Sequence, residues 1–215
     1  MIAFEQALTE HRLVAILRAR EPAPLVEAAL ALIEGGVRCL EITLPSPGSL
    51  PAVRMLADRA GSRVCLGVGT VLTASEVAAA ADAGARFVVA PNFDPEVVAA
   101  ATAAGLGSLP GAYTPTEIVA AWRAGATAVK LFPAATLGPE FVASVRAPLP
   151  EIPLVAVGGV GLAEAKEYLD RGALAVGVGS PLLGDALRAD AGEREWAALR
   201  ARAAEFVAVT ADPNE

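Results

Sequence analysis

Two features of the sequence predict a single-domain α/β fold of the (β/α)8 type, a TIM barrel. One is a recurring unit, in which a helix-like run ends in a glycine and a short apolar run follows. The unit repeats roughly every 20 to 25 residues, the length of one helix and one strand. The other is that most of the apolar runs are continuous, as is typical of parallel strands covered on both faces. The 215 residues are close to the minimum for such a barrel.

The elements follow in order along the chain. Eight strands are expected, near 13–18, 38–43, 63–68, 87–90, 107–110, 127–132, 153–157 and 174–178. The glycines at 36, 61, 84, 105, 125 and 172 suit the left-handed backbone that ends a helix. Helix starts are indicated by Pro22, Thr73, Asp94, Thr114 and Gly161. The barrel then spans about 13–190 of a single domain, 1–215, with a short N-terminal helix before it and a C-terminal helix at about 193–209.

An open, doubly wound sheet is the alternative architecture. The dinucleotide-binding form of that fold has the pattern G-x-G-x-x-G after its first strand. This chain has ILRAREP there, so the barrel is the predicted fold.

The composition excludes several classes of function. The chain is 54% hydrophobic and has a net charge of −7 without a Lys/Arg cluster, which argues against nucleic acid or an anionic membrane as a partner. Cys39 and Cys65 lie in apolar runs and are expected to be reduced core residues. His11 is the only histidine, which argues against a histidine-rich zinc site and a Ser-His-Asp triad. No metal site is therefore predicted.

No membrane segment is predicted. The N-terminus carries Glu5 and Glu10 where a signal peptide needs an apolar core. The uncharged stretch 97–116 contains three glycines and two prolines, and it is predicted to form a helix, a turn, a short strand and a loop. We therefore expect a cytoplasmic protein.

The stretch TAVKLFPA, at 127–134, puts Lys130 inside a run that otherwise predicts a buried strand. A buried ammonium is costly, and such a lysine tends to lose its proton. Because side chains alternate along a strand, Lys130 faces the barrel interior if its two neighbours face the helices, and Glu41 turns inward in the same way. The alternative is a buried ion pair that only fills the barrel, but such pairs contribute little to stability.

Barrel active sites lie at the C-terminal ends of the strands, so these ends supply the candidate site residues. In chain order they are Arg18, Glu41, Thr43, Gly67, Gly69, Thr70, Pro91, Asn92, Pro110, Lys130, Phe132, Gly158, Gly159, Gly179 and Ser180. The glycine-rich turns VAVGGVGLAEA and VGVGSPLLGDAL follow strands 7 and 8, where barrels often bind phosphate through backbone N–H groups and helix N-termini.

With these residues in place, the chain resembles the class I 2-keto-3-deoxy-6-phosphogluconate (KDPG) / 4-hydroxy-2-oxoglutarate (KHG) aldolase family. The matching pieces are GGVRCLEITL, GVGTVLTASEV, AGARFVVAPNF, LPGAYTPTEI, VKLFPA, VAVGGVGLAEAKEYL and AVGVGS. They run in order over about residues 13–183 and are specific in combination.

The resemblance implies a lyase of carbohydrate metabolism (the Entner-Doudoroff route) on a (β/α)8 barrel, a homotrimer with no cofactor. Lys130 would form the Schiff base with a 2-keto acid, and Glu41 would transfer protons. Gly69 and Thr70 would hold the pyruvate carboxylate, while Pro91 and Phe132 line the pocket. The distal phosphate would be bound by Gly158, Gly159 and Ser180, and we also expect Thr43 and Gly179 to contact substrate.

Two positions depart from the family pattern. Some members have an arginine where this chain has Pro45, and some have a threonine where it has Val157. Arg18 is expected to supply the missing positive charge. These departures leave the Schiff-base chemistry intact but bear on whether the substrate is phosphorylated. The candidate substrates are KDPG, its galactonate epimer and KHG.

The chemistry also fits the residues themselves. Cleavage of a C–C bond beside a ketone needs an electron sink, which a protonated lysine imine provides. The rival classes are a sugar-phosphate isomerase or epimerase, which usually needs paired carboxylates or a metal, and a non-catalytic barrel that binds a phosphorylated metabolite.

Overall fold

The computed structural model describes residues 3–211, which form a closed parallel barrel. Within these residues nine strands form one sheet, in the order β5-β4-β3-β2-β1-β9-β8-β7-β6. The strands are β1 (Leu13–Leu17), β2 (Cys39–Thr43), β3 (Cys65–Gly69), β4 (Phe87–Val89), β5 (Gly107–Leu109), β6 (Gly111–Ala112), β7 (Val129–Leu131), β8 (Leu154–Val157) and β9 (Ala175–Val178). Every pairing is parallel.

Helices connect the strands on the outside. They are α1 (Phe4–His11), α2 (Leu25–Glu34), α3 (Ser49–Ala60), α4 (Ala74–Asp82), α5 (Pro95–Ala103), α6 (Pro115–Arg123), α7 (Ala134–Leu137), α8 (Pro139–Arg146), α9 (Leu162–Asp170), α10 (Ser180–Leu183) and α11 (Glu193–Thr210), with a 3-10 turn at Gly61–Arg63. None of the helices between residues 3 and 211 is long and apolar enough to cross a membrane.

The fifth strand of the barrel is interrupted at Pro110. β5 pairs with β4, β6 pairs with β7, and Pro110 stands between them. Proline has no N–H to donate to a ladder, but its carbonyl still accepts a hydrogen bond from the Lys130 N–H at 2.9 Å. β5 and β6 therefore act as one strand, and the predicted eight-stranded barrel is confirmed.

Two apolar layers hold the barrel together. One lies between the strands and the surrounding helices and includes Val129 and Leu131. The other fills the barrel interior and includes Ala128, with Phe132 at its margin. Lys130, between these positions, therefore lies on the inward side of β7, as the alternation predicted.

α1 closes the N-terminal end of the barrel. The ring of Phe4 stacks on that of Phe87, with centroids 4.0 Å apart and planes 8° from parallel. Gly107 leaves room for this ring, because a Cβ there would lie 2.6 Å from Phe4 Cδ1. Cys39 and Cys65 are in register on β2 and β3, and both are buried and free. The interior is thus apolar at the bottom of the barrel, and its polar groups lie near the top.

Most of the predicted boundaries agree with the structure within two residues. Thr73, Asp94 and Thr114 are N-caps whose side chains accept a backbone hydrogen bond, and Gly161 is the N-cap of α9. The six glycines predicted to end helices all have positive φ. Pro22 was wrong as a helix start: α2 begins at Leu25, after Pro24. Residues 212–215 of the predicted single domain lie outside the described residues.

Candidate active site

A cavity of about 300 Å³ opens at the C-terminal ends of the strands. Its lining includes Glu41 from β2, Lys130 from β7, and Arg18 and Phe132, which directly follow β1 and β7. The two glycine-rich turns close one side, through Gly158, Gly159, Val160, Gly179, Ser180 and Pro181. The structure therefore brings the lysine, the carboxylate and both predicted turns to one cavity.

Lys130 is the middle residue of the three-residue strand β7, and it is only 4% exposed to solvent. Burial lowers the pKa of the Lys130 ammonium. The negative charge of Glu41 opposes this shift, and the positive charge of Arg18 adds to it. Nζ also lies 4.7 Å from the centroid of the Phe132 ring. The net shift lowers the pKa of Lys130, which increases the fraction of the neutral, nucleophilic amine at a given pH.

Glu41 lies on β2 and is 2% exposed. Burial raises the pKa of its carboxyl group, while the charges of Lys130 and Arg18 partly offset this rise. A carboxyl group with a raised pKa can take up and release protons closer to neutral pH. Among the ion pairs formed within residues 3–211, none joins Glu41 to Lys130. A direct buried ion pair that only fills the barrel is therefore not what the structure contains.

Arg18 follows β1 and is bonded to the residue that follows β3. Its Nη2 donates to Thr70 Oγ1 at 3.1 Å. Thr70 has a φ of 60°, in the left-handed region that a β-branched residue rarely adopts. The Val71 N–H, which donates to the Val89 carbonyl at 3.1 Å, holds the chain in this shape. Backbone strain of this kind is often found at functional sites.

Thr43 does not line the cavity. It is fully buried, and its hydroxyl lies 2.9 Å from that of Ser46. Ser46 Oγ in turn accepts a hydrogen bond from the Ala19 N–H at 3.0 Å. The structure therefore gives Thr43 a place in a network that joins the turn after β2 to the segment carrying Arg18.

Three further predicted residues, Gly69, Thr70 and Pro91, are not on the lining of the cavity. Gly69 lies against the Glu41 carboxylate, and a Cβ at Gly69 would overlap it. Thr70 reaches the cavity through its bond to Arg18. Pro91 follows β4, and its carbonyl packs against Gly111 so closely that only glycine fits there. Their contacts with substrate stay predictions.

The turns after β8 and β9 have the backbone expected for binding an anion. Gly158 and Gly159 have φ values of 96° and 75°, and a Cβ at Gly159 would lie 2.5 Å from that of Ala135. Within residues 3–211, neither the Gly159 N–H nor the Ser180 N–H donates a hydrogen bond. Both N–H groups are therefore available to a ligand.

Ile16 was not predicted from the sequence to line the cavity, and Val157 was named only as a departure from the family pattern. Ile16 and Val157 line the cavity, and Gly177 makes room for Val157, since a Cβ there would lie 2.8 Å from Val157 Cγ2. The alternation that identified Lys130 also points Ile16 inward, two residues before Arg18. The contact between Gly177 and Val157 leaves no signal in the sequence.

The described residues contain no group of three or more His, Cys, Asp or Glu side chains that could hold a metal ion. A larger depression of about 500 Å³ lies at the opposite end of the barrel, between α1 and the starts of β8 and β9. It includes neither Lys130 nor Glu41. The smaller cavity is therefore the candidate active site.

The fold and the site define a (β/α)8 barrel with a buried lysine and a buried carboxyl group in a cavity at its C-terminal end, where enzymes of this fold have their active sites. The family model for KDPG and KHG aldolase matches residues 4–198. The chain therefore belongs to the KDPG and KHG aldolase family, whose members are lyases that cleave carbon–carbon bonds. The resemblance inferred from the sequence is confirmed.

Individual relatives agree with this assignment. The chain is 39% identical over 194 residues to the probable 2-dehydro-3-deoxy-6-phosphogalactonate aldolase of Rhizobium meliloti, covering 89% of this chain and 92% of the relative. It is 36% identical over 170 residues to the 2-dehydro-3-deoxy-phosphogluconate aldolase of Treponema pallidum, covering 79% and 80%. A solved structure described as native KDPGal superposes with a TM-score of 0.83 at 34% identity, covering 92% of this chain and 93% of that one.

Proposed function

We propose that the protein is a class I aldolase that cleaves a 2-keto-3-deoxy-6-phosphoaldonate to pyruvate and glyceraldehyde 3-phosphate. The observation that carries the proposal is Lys130, a buried lysine with a lowered pKa in the cavity at the barrel's C-terminal end. KHG, which lacks the phosphate, is a second substrate of the same chemistry and yields pyruvate and glyoxylate.

The neutral amine of Lys130 attacks the C2 carbonyl of the substrate and forms a carbinolamine. The Glu41 carboxyl group donates a proton to the carbinolamine hydroxyl, so that water leaves, a protonated imine forms and Glu41 becomes a carboxylate. The protonated imine draws the electron pair of the C3–C4 bond as that bond breaks. The proton of the C4 hydroxyl passes to the Glu41 carboxylate, and the aldehyde leaves. Glu41 then returns the proton to C3 of the enamine, and water releases pyruvate and regenerates the free amine.

Arg18 and Thr70 are suited to hold the substrate carboxylate. The guanidinium of Arg18 lines the cavity and is bonded to the Thr70 hydroxyl at 3.1 Å. A carboxylate bound there would lie next to C2, the carbon that Lys130 attacks. Arg18 then takes the role of the arginine that some relatives have in place of Pro45.

The distal phosphate is assigned to the turns after β8 and β9. The free N–H groups of Gly159 and Ser180 supply donors, and charge-assisted hydrogen bonds of this kind are strong. The relatives include enzymes named for both the galactonate and the gluconate substrate, so the two C4 epimers are the substrates to compare.

The test is trapping with borohydride in the presence of pyruvate, followed by peptide mapping. Reduction should link pyruvate to the peptide that contains Lys130. An isomerase, an epimerase or a non-catalytic barrel forms no reducible imine, so the absence of labelling would reject the proposal. Parallel assays of both epimers and KHG then identify the substrate.

The homotrimer and the cytoplasmic location implied by the resemblance belong to the same proposal. Light scattering coupled to gel filtration measures the number of chains in the assembly, and cell fractionation measures the location. A monomer in dilute solution would reject the trimer.

A further inference from the structure

We propose that Arg202, on the C-terminal helix α11, is a positioning residue for the phosphate end of the substrate. This inference rests on the proposed function, because it concerns the turn to which the distal phosphate is assigned. Arg202 itself lies outside the cavity lining. It acts through α10, the short helix that follows β9.

α10 is a single turn of four residues with two different ends. Its first residues, Ser180 and Pro181, line the cavity together with Gly179. Its last residues, Leu182 and Leu183, are 0% and 3% exposed. A single turn has little stability of its own, and its last carbonyl groups find no partner inside the helix. Another part of the protein must therefore hold it.

Arg202 supplies that support. Its Nε donates to the Leu182 carbonyl at 2.8 Å, and its Nη2 donates to the Leu183 carbonyl at 2.9 Å. The guanidinium thus binds two successive backbone oxygens at once. A positive charge at the C-terminal end of a helix also complements the partial negative charge there.

The chain around the guanidinium leaves little room for another arrangement. Gly184 follows α10 with a φ of 52°, and a Cβ there would lie 2.7 Å from Arg202 Nη2. The Gly184 N–H closes the turn by donating to the Ser180 carbonyl at 2.9 Å. A shift of the guanidinium would therefore be passed through one helical turn to Ser180.

α11 packs closely against the rest of the protein around Arg202. The next residue, Ala203, packs on the backbone of Gly35, where an added Cβ would lie 2.6 Å from Ala203 Cβ. Leu199 and Phe206, on either side, are 0% and 3% exposed. The length of the Arg202 side chain and the position of α11 together set the position of the Gly179–Ser180 turn.

Loss of the Arg202 guanidinium should affect phosphorylated and unphosphorylated substrates differently. Removal of the guanidinium leaves the buried Leu182 carbonyl without its donor and leaves the Leu183 carbonyl with only the Ala186 N–H, at 3.1 Å, so α10 and the Ser180 N–H shift. A substrate with a distal phosphate loses a contact, while KHG, which does not reach the turn, loses none. The imine-forming end of the cavity, around Lys130, is on other strands.

The test compares Arg202→Ala with the parent protein on the phosphorylated substrate and on KHG. We expect KM for the phosphorylated substrate to rise about tenfold with little change in kcat, and the inhibition constant for inorganic phosphate to rise in parallel. KM and kcat for KHG should stay within about twofold of the parent. Arg202→Lys, which keeps the charge but offers a single donor group, should recover part of the loss.

Arg200→Ala is the matched control. Arg200 is on the same helix and pairs with Glu34 and Glu193 instead of α10. Arg200→Ala should leave kcat and KM unchanged for both substrates. Equal losses on both substrates in Arg202→Ala, the same loss in Arg200→Ala, or no loss in either Arg202 variant would overturn the inference. Should Arg202→Ala not fold, Arg202→Lys carries the comparison. A parent protein that neither prefers the phosphorylated substrate nor is inhibited by phosphate would instead reject the phosphate assignment itself, and this inference with it.

Discussion

The carboxylate of Glu41 occupies the space that a side chain at position 69 would fill. Glu41 is on β2 and Gly69 is its neighbour on β3, two residues beyond the partner of Glu41 in the ladder, Gly67. A Cβ at Gly69 would overlap Oε1 and Cδ of Glu41. The glycine thus leaves room for the carboxyl group of Glu41, whose pKa the charge of Lys130 lowers against the effect of burial.

Gly69→Ala tests this relationship. The added methyl group should displace the Glu41 carboxylate, because overpacking is relieved by side-chain movement. We expect kcat to fall at least about tenfold, since a displaced carboxyl group transfers protons poorly. Pyruvate trapping at Lys130 should persist, because the lysine is on another strand. Gly192→Ala is the control, since a Cβ there meets nothing within 4 Å. A kcat for Gly69→Ala equal to that of the control would contradict the role of Glu41's position.

Lys130→Met should abolish cleavage and borohydride trapping, because no other described group of the cavity can form the imine. The variant should remain folded, since methionine replaces a buried, costly ammonium by an apolar chain. Circular dichroism and thermal melting check the fold. Lys166→Met is the control: Lys166 is exposed on α9 and pairs with Asp170. Labelling of a peptide without Lys130 would reject the assignment.

Glu41→Gln keeps the shape of the side chain but cannot carry a proton. Loss of a positioned general acid–base should lower kcat by roughly 10². Rapid-quench measurement of imine formation separates this step from C–C cleavage. A kcat within a few-fold of the parent would leave Glu41 only a structural role.

The pH dependence of imine formation should respond to charge near Lys130. Its rate falls toward acid as the amine takes up a proton, so the midpoint follows the pKa of Lys130. Arg18 lowers this pKa and Glu41 raises it. Arg18→Met should therefore move the acid limb to higher pH, and Glu41→Gln should move it to lower pH. Arg20→Met, two residues along the same segment, is the control. Shifts of the opposite sign would contradict this account.

Gly159→Val tests the phosphate assignment. Gly159 has a φ of 75°, and its Cα faces Ala135, so a branched side chain must displace the turn. We expect kcat/KM for the phosphorylated substrate to fall by about 10- to 1000-fold, the gain that charge-assisted bonds to phosphate provide, with a smaller effect on KHG. In the parent, the phosphorylated substrate should be the better one by a similar factor. Equal losses on both substrates would show that the turn does not select for phosphate.

Local patterns in the sequence were enough to predict the barrel. Three local patterns predicted it: glycines after helices, N-caps and continuous apolar runs. Each pattern acts on the backbone nearby, and the structure contains the predicted glycines and the N-caps Thr73 and Thr114. The one wrong helix start, Pro22, shows the limit of such local patterns. A proline suits the first turn of a helix, but it also suits the extended segment before a helix.

Strand alternation also determined which way Lys130 and Glu41 face, because the direction of a side chain follows from its place in a strand. Their lowered and raised pKa values depend on burial, which only the closed barrel produces. The interruption at Pro110 was not predicted, since it depends on which strands lie on either side.

The remaining features join residues that are far apart in the sequence. The bond from Arg18 to Thr70, the fit of Glu41 on Gly69, the network of Thr43 and Ser46, and the support of α10 by Arg202 all depend on how strands and helices pack. The sequence by itself determined the fold, the lysine and the carboxyl group, because these follow from short-range order along the chain. Only the tertiary structure decided which groups support them, because a hydrogen bond between distant residues requires positions that no local pattern specifies.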